Sequence, residues 1–216
     1  AETIIIGATE PRPDDSESLP FWKSHDKVGT VHDRALLRLV RVATPRERIR
    51  RDWLREDPVL RDLLILRFAS GTNYELRPHE ATRLNALWSK TGRDWNYAES
   101  VAGLWTYQQT YGGEVSRLPG SPVAQVAILI GRAVSGVYNK VMNFRAIDPR
   151  DMRAGMTGGG ATDRHVWTDF FDPARNTLRT DDLKREFERL WDDVNGESGS
   201  DDAAARDITV EEEQTV

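Results

Sequence analysis

Apolar residues recur at helical spacing through most of the chain, and this periodicity limits the folds that it can adopt. In segment 33–42, leucine and valine share one face with arginines between them, and in segment 45–56 Thr44 is the N-cap and Pro45 the first helical residue. The same spacing predicts helices over 59–68, 78–91, 97–111, 122–130, 134–144, 162–171 and 180–193. Short strands at 4–6 and 208–210 are the only β candidates. We therefore predict an all-α helical bundle.

Charge is distributed unevenly along the chain, although the net charge is only −5. Residues 1–20 sum to −4 and residues 196–216 to −6, which leaves +5 for residues 21–195. Both ends are poor in large apolar side chains, so we expect acidic flexible tails. In the basic stretches 34–55 and 115–154 arginine outnumbers lysine, and its planar group suits bidentate contact with phosphate.

These features predict four segments. An acidic N-terminal arm occupies 1–30, and an Arg-rich helical domain follows at 31–93. A second helical domain spans 95–195, and an acidic tail covers 196–216. The boundaries rest on the Gly and Pro residues that end predicted helices and on the shifts in charge.

Several classes of site are excluded by composition. The chain has no cysteine, which removes disulfides, thiolate zinc sites and iron–sulfur clusters. Its four histidines are too scattered to predict a metal site, so we expect no metal and no cofactor. No apolar run approaches the roughly 18 residues needed to span a membrane. Since no signal segment is recognisable at the start, we expect a cytoplasmic, nucleoid-associated protein.

The most specific pattern lies in segment 121–145, where a helix, a short turn containing Gly131 and a second helix follow one another. Apolar residues of the second helix recur at intervals of three, four and three residues and predict a buried stripe: Val134, Val137, Val141 and Phe144. The polar residues between them would then point outward. This pattern predicts a DNA-binding helix-turn-helix, although a plain helical hairpin with a solvated face remains the alternative.

Six polar residues of this segment have a predicted contact with duplex DNA. Arg132 and Lys140 would bind phosphate, and Arg145 would bind the phosphate at the far end of the helix. Ser135, Asn139 and Asn143 would contact base edges, since asparagine matches adenine in the major groove. A second phosphate-binding surface is expected on the Arg-rich segments at Arg38, Arg41, Arg48 and Arg51. Its alternative is that these arginines pair with acidic neighbours.

Five stretches over about residues 95–171 resemble the N-terminal segment of a family of predicted bacterial HNH restriction endonucleases. They are WNYAE at 95–99, IGRAVSGVYNKVMNF at 130–144, DP at 148–149, GMTG at 155–158 and DRHVW at 163–167, with Leu104 and Tyr107 between them. The resemblance implies a Myb-like or SANT-like three-helix DNA-binding unit with 134–144 as recognition helix. Ala133 replaces the family's threonine, and Gly136 stands where alanine is typical.

The family's HNH half has no counterpart after Trp191, where paired histidines and an Asn-His pair are missing. We therefore expect a non-enzymatic protein that binds double-stranded DNA, as a transcriptional regulator or a phage- or defence-related factor. The alternative is a DNA-recognition subunit or remnant of an HNH-type restriction endonuclease. A third hypothesis is an adaptor whose basic face binds an acidic protein. The oligomeric state stays open, with a homodimer as one expectation.

Overall fold

The structure is a computed structural model that describes residues 2–13, 20, 30–68, 74–156 and 159–191. It divides into two compact units, Ala1–Arg48 and Ile49–Val216. About half of the described residues are helical and 11% are in strands. The prediction of an all-α fold is therefore wrong, and the protein is a mixed α/β protein. The strand candidate at 208–210 and the predicted acidic tail 196–216 lie outside the described residues, and the other predicted segment limits stay predictions.

Unit Ala1–Arg48 is built from short antiparallel strand pairs. Strand β1 (Glu2–Ile5) pairs with β4 (Leu37–Arg41), and β2 (Glu10–Arg12) pairs with β3 (His32–Arg34). The strand that the sequence suggested near 4–6 is thus present as β1. Segment 33–42, predicted as a helix, instead forms β3 and β4. Its leucines and valines also fit a two-residue period, and pairing with β1 decides between the two.

Unit Ile49–Val216 contains mostly helices. Its elements are α1 (Arg51–Glu56), α2 (Leu64–Arg67), α3 (Pro78–Lys90), α4 (Tyr97–Gln109), α5 (Pro122–Leu129), α6 (Val134–Ile147), α7 (Ala161–Phe170), β5 (Phe171–Asp172), β6 (Thr177–Leu178) and α8 (Thr180–Trp191). Strands β5 and β6 pair antiparallel. Helices α3 to α8 therefore lie close to their predicted positions.

Two predicted helices are only partly present. Segment 45–56 forms a single 3₁₀ turn at Pro45–Glu47 and then α1, with extended backbone at Arg48 and Arg50 between them. Segment 59–68 is helical only in α2, because the backbone N–H groups of Val59 and Leu60 donate to the Asp57 side chain and fold the chain into turns. Local side-chain bonds of this kind compete with helical hydrogen bonds.

Helix α4 lies at the centre of the larger core, where α5, α6, α7 and α8 all pack against it. Its buried face includes Val101, Leu104 and Tyr107, all with no exposed surface. A smaller cluster joins Leu60 and Leu63 to Leu87 of α3 and to Ala133, just before α6. The second cluster ties α3 to the start of α6.

The predicted helix pair of segment 121–145 is present as α5 and α6. The Ser121 side chain accepts a hydrogen bond from the Ala124 N–H at 3.3 Å and caps α5. Between the two helices, Gly131 adopts a positive φ of 74°, which glycine tolerates better than other residues. A Cβ at this position would lie 3.4 Å from the carbonyl oxygen of Ala86, so α3 also packs closely on the turn.

Candidate nucleic-acid interface

Helix α6 has one buried face and one accessible face. The predicted apolar stripe of Val134, Val137, Val141 and Phe144 is fully buried, which confirms that part of the sequence analysis. Asn139 is exposed near the middle of the helix, and Ser135, Tyr138, Met142 and Asn143 are half-buried. The accessible face of α6 thus carries hydroxyl and amide groups and no unpaired cation.

Lys140 belongs to the buried face. Its Nζ lies 2.5 Å from Oδ1 of Asp163 on α7 and 4.5 Å from the ring centroid of Trp95. The carboxylate of Asp163 also accepts hydrogen bonds from Ser100 and Asn143, each at 3.3 Å. Glycine at position 103 of α4 makes room for the lysine, since a Cβ there would lie 2.4 Å from Lys140 Cγ. In this conformation Lys140 stabilises the packing of α4, α6 and α7, and its predicted phosphate contact does not fit this placement.

The Arg132 guanidinium also forms its hydrogen bonds within the protein. Its Nη1 donates to the carbonyls of Lys90 and Arg93, and its Nη2 donates to the Asp94 carbonyl and to Glu99, all within 2.6–2.9 Å. The side chain is only 9% exposed. Four of its five N–H groups are therefore committed to holding loop 90–94 against α4 and α6. A phosphate would have to displace these bonds, so the predicted phosphate contact does not fit this geometry either.

Glu99 is the acidic partner that keeps Arg132 in place. Its Oε2 lies 2.6 Å from Arg132, and its Oε1 lies 2.9 Å from Lys90 Nζ. Its side chain also closes a capping box with Asn96 at the start of α4. Burial alone would raise the pKa of Glu99, but the hydrogen bonds from Arg132, Lys90 and the Asn96 backbone outweigh it and lower the pKa.

The other predicted contact residues of α6 differ in accessibility. Ser135 and Asn143 are half-buried, and Asn139 is exposed. The Arg145 side chain is only 11% exposed and lies 3.9 Å from Asp151, which itself accepts a hydrogen bond from Tyr107. Arg145 therefore faces loop 148–153 rather than open solvent.

The arginines predicted as a second surface fall into both compact units. In unit Ala1–Arg48, Arg38 and Arg48 are exposed, whereas Arg41 donates to Glu47 at 3.0 Å. In unit Ile49–Val216, Arg51 is exposed and donates to the Leu66 carbonyl at 3.1 Å. The pairing of Arg41 follows the alternative stated from the sequence, in which an arginine binds an acidic neighbour. A shared surface for the four arginines remains a prediction.

Sequence reasoning missed the residues that surround the accessible face of α6. Trp95 and Asp163 occurred in the resemblance only as motif positions, and Thr162 was not considered. Together with Asn139, Lys140 and Asn143 they line a cleft of about 400 Å³. One sequence signal could have pointed to this cleft. Lys140 lies beside an apolar helical stripe, and a lysine that is buried needs an acidic partner.

Comparisons with protein-family models, curated proteins and solved structures found no match to this chain. Among the described residues, no three His, Cys, Asp or Glu side chains are arranged so that they could hold a metal ion. Within the same ranges, no helix has the length and apolar character that a membrane span requires.

Proposed function

We propose that this chain binds double-stranded DNA through the α5–α6 pair, with α6 as the recognition helix. The observation that carries the proposal is Asn139, whose amide is exposed beside a stripe of completely buried apolar residues. Helices α4, α5 and α6 pack on one another as a three-helix unit. The 14 residues of α6 make it about 21 Å long, and a B-DNA major groove about 12 Å wide admits one helix. The expected role is transcriptional regulation or defence, on the nucleoid of a bacterial cytoplasm.

The contacts proposed here differ from those predicted from the sequence. Asn139 contacts a base edge and Ser135 assists it near the start of α6, whereas Arg132 and Lys140 hold the helix in place. The phosphate contact falls instead to Arg93, which is exposed and whose carbonyl is fixed by Arg132. Within the described ranges the Arg93 guanidinium has no hydrogen bond or ion pair. An exposed, unpaired guanidinium suits bidentate contact with phosphate.

A selection of bound genomic fragments, followed by gel shifts at several salt concentrations, tests this proposal. Asn139→Ala should lower the preference at one base pair by about 10-fold, the discrimination expected of one bidentate contact. Arg93→Ala should weaken binding to all sequences alike and reduce the salt slope by about one. Asn85→Ala is the matched control, because Asn85 is an exposed amide on α3. No DNA binding at low salt would overturn the proposal.

We also propose that two copies associate through unit Ala1–Arg48. None of the residues described in this unit is buried, and β1 and β4 pair only with each other there. Their large apolar side chains and those of the adjoining residues are 44–67% exposed: Ile4, Ile5, Ile6, Leu36, Leu37, Leu39, Val40 and Val42. An isolated two-stranded ribbon is at best marginally stable in water, and exposed apolar patches mark interaction surfaces.

A second copy suits this ribbon because antiparallel strand edges can pair with themselves about a two-fold axis. Successive side chains of a strand point to opposite faces, so one interface would cover about four of these eight side chains, each contributing on the order of 1 kcal/mol. That gross gain matches the lower end of the loss of freedom on association, which is roughly 4–15 kcal/mol, and hydrogen bonds between the paired strand edges add to it.

A further inference from the structure

A polar cleft lies between α6 and α7, beside the accessible face proposed to contact DNA. Its volume is about 400 Å³, within the range of roughly 300–1,000 Å³ found for small-molecule sites. The side chains that carry its chemistry are Trp95, Asn139, Lys140, Asn143, Thr162 and Asp163. Asn139 is shared between the cleft and the accessible face of α6, so the two are continuous.

The floor of the cleft is a fixed set of polar groups. Asn143 Nδ2 donates to Asp163 Oδ2 at 3.3 Å, which orients the amide and leaves its Oδ1 and its second N–H available. Lys140 is 7% exposed, and its ammonium, which has three N–H groups, bonds one carboxylate oxygen and faces the Trp95 ring. The floor of the cleft therefore holds a hydrogen-bond acceptor, the Asn143 Oδ1, and donors from Asn143 and Lys140 at defined positions.

Charge decides which ligands suit the cleft. Lys140 is neutralised by Asp163, and the remaining ionised residue of the lining is Asp94. An anion would meet the two carboxylates and one cation that is already paired, so a phosphate group is disfavoured. A neutral molecule with adjacent donor and acceptor groups fits this arrangement better.

We infer that the cleft binds a single adenine base extruded from the DNA duplex, an inference that rests on the proposed DNA binding. An asparagine amide matches the adjacent donor and acceptor of adenine, and the amide of Asn143 is positioned for such a pair. Proteins that take a base out of the stack place it in a pocket and contact its edge by hydrogen bonds. Asn139 lies at the mouth of the cleft, where it also faces the groove proposed to be contacted by α6.

The size of the cleft depends on glycine at position 136 of α6. Gly136 lines the cleft, and a Cβ built on it would meet Trp95 Cζ2 at 3.7 Å, an ordinary contact. A longer side chain at this position would extend into the space proposed for the base. Gly113 lies outside the cleft and also has room for a Cβ, whose nearest contact is 3.7 Å away. It provides a matched control.

The experiment compares duplexes that carry the selected sequence. In each one a different adenine faces an abasic site, which lowers the energy needed to extrude that base. One position should bind about 10-fold more tightly than the fully paired duplex, and 2-aminopurine placed there should brighten on binding. The ratio of the two affinities, for the duplex with the abasic site and for the fully paired duplex, should fall to about one in Gly136→Met. Gly113→Met should retain the ratio of about 10-fold.

Asn143→Leu provides a second variant that keeps the size of the side chain and removes the amide, and it should also abolish the preference. Circular dichroism establishes that each variant is folded. If no position gives a ratio above one, or if Gly136→Met and Asn143→Leu both keep the preference, the inference is overturned while duplex binding still supports the proposed function. If the parent chain binds none of the duplexes at low salt, both proposals fail.

Discussion

The Nζ of Lys140 lies 2.5 Å from Oδ1 of Asp163, and this ion pair is buried where α4, α6 and α7 meet. We expect Lys140→Met to lower the free energy of unfolding by about 3–5 kcal/mol, because it leaves the buried carboxylate without its cation. Urea denaturation measures the change. The effect on DNA binding should follow from the loss of folded protein and not from a lost phosphate contact.

Lys184→Met is the matched control. Lys184 pairs with Glu188 at 3.5 Å on α8, but its side chain is 56% exposed. Exposed pairs of this kind contribute about 0.2–1 kcal/mol, so the control should remain close to the parent in stability. Equal losses in the two variants would contradict the structural role given to Lys140.

Alanine substitutions at two helical glycines should change the stability of the protein in opposite directions. At Gly136 the added methyl group meets only Trp95 at 3.7 Å, and we expect stabilisation by roughly 0.5–1 kcal/mol from the higher helix propensity of alanine. At Gly103 it would lie 2.4 Å from Cγ of Lys140, whose ammonium is held by Asp163. Overpacking there should cost about 1–3 kcal/mol. Thermal unfolding of both variants checks the signs, and destabilisation by Gly136→Ala would contradict the expectation.

The positions of α3 to α8 could be predicted because local signals agree with the packing. Ser121 caps α5, Gly131 turns the chain and the stripe from Val134 to Phe144 is buried as expected. The helix predicted for segment 33–42 is wrong because its local pattern is ambiguous. Its apolar pattern fits a helix and a strand, and only pairing with a distant strand, such as that of Leu37 with Ile5, selects the strand.

The roles of the cations could not be predicted from local pattern. Lys140 is buried because a glycine on α4 makes room for it and an aspartate on α7 pairs with it. Arg132 is buried because three carbonyls of loop 90–94 and Glu99 accept its hydrogen bonds. Each contact joins residues far apart in the sequence. Asn139, which needs no such partner, is exposed as expected.

The lowered pKa of Glu99 predicts a loss of stability in acid. Because this pKa lies below the ordinary value of 4.5 in the folded protein, the carboxylate contributes its full stabilisation above about pH 4.5. The contribution decreases as the pH falls from 4.5 through the folded-state pKa. Glu99→Gln should be less stable than the parent at pH 7 and should lose less stability on acidification. Urea denaturation at pH 7 and pH 3 measures both, and parallel pH profiles would contradict the pairing with Arg132.

The exposed β1–β4 ribbon predicts that the chain forms a dimer and that apolar contacts of the ribbon stabilise the association. Leu39 is 57% exposed on β4, and Leu39→Lys places a charge in the proposed interface, where it should shift the protein to a monomer. Leu118→Lys makes the same change at a leucine that is 72% exposed in unit Ile49–Val216, and it should leave the dimer intact. Light scattering after size-exclusion chromatography measures the masses over a range of concentrations. A parent chain that stays monomeric throughout, or a dimer that survives Leu39→Lys, would contradict this interface, because a lysine that replaces a buried apolar contact cannot be desolvated without a large cost.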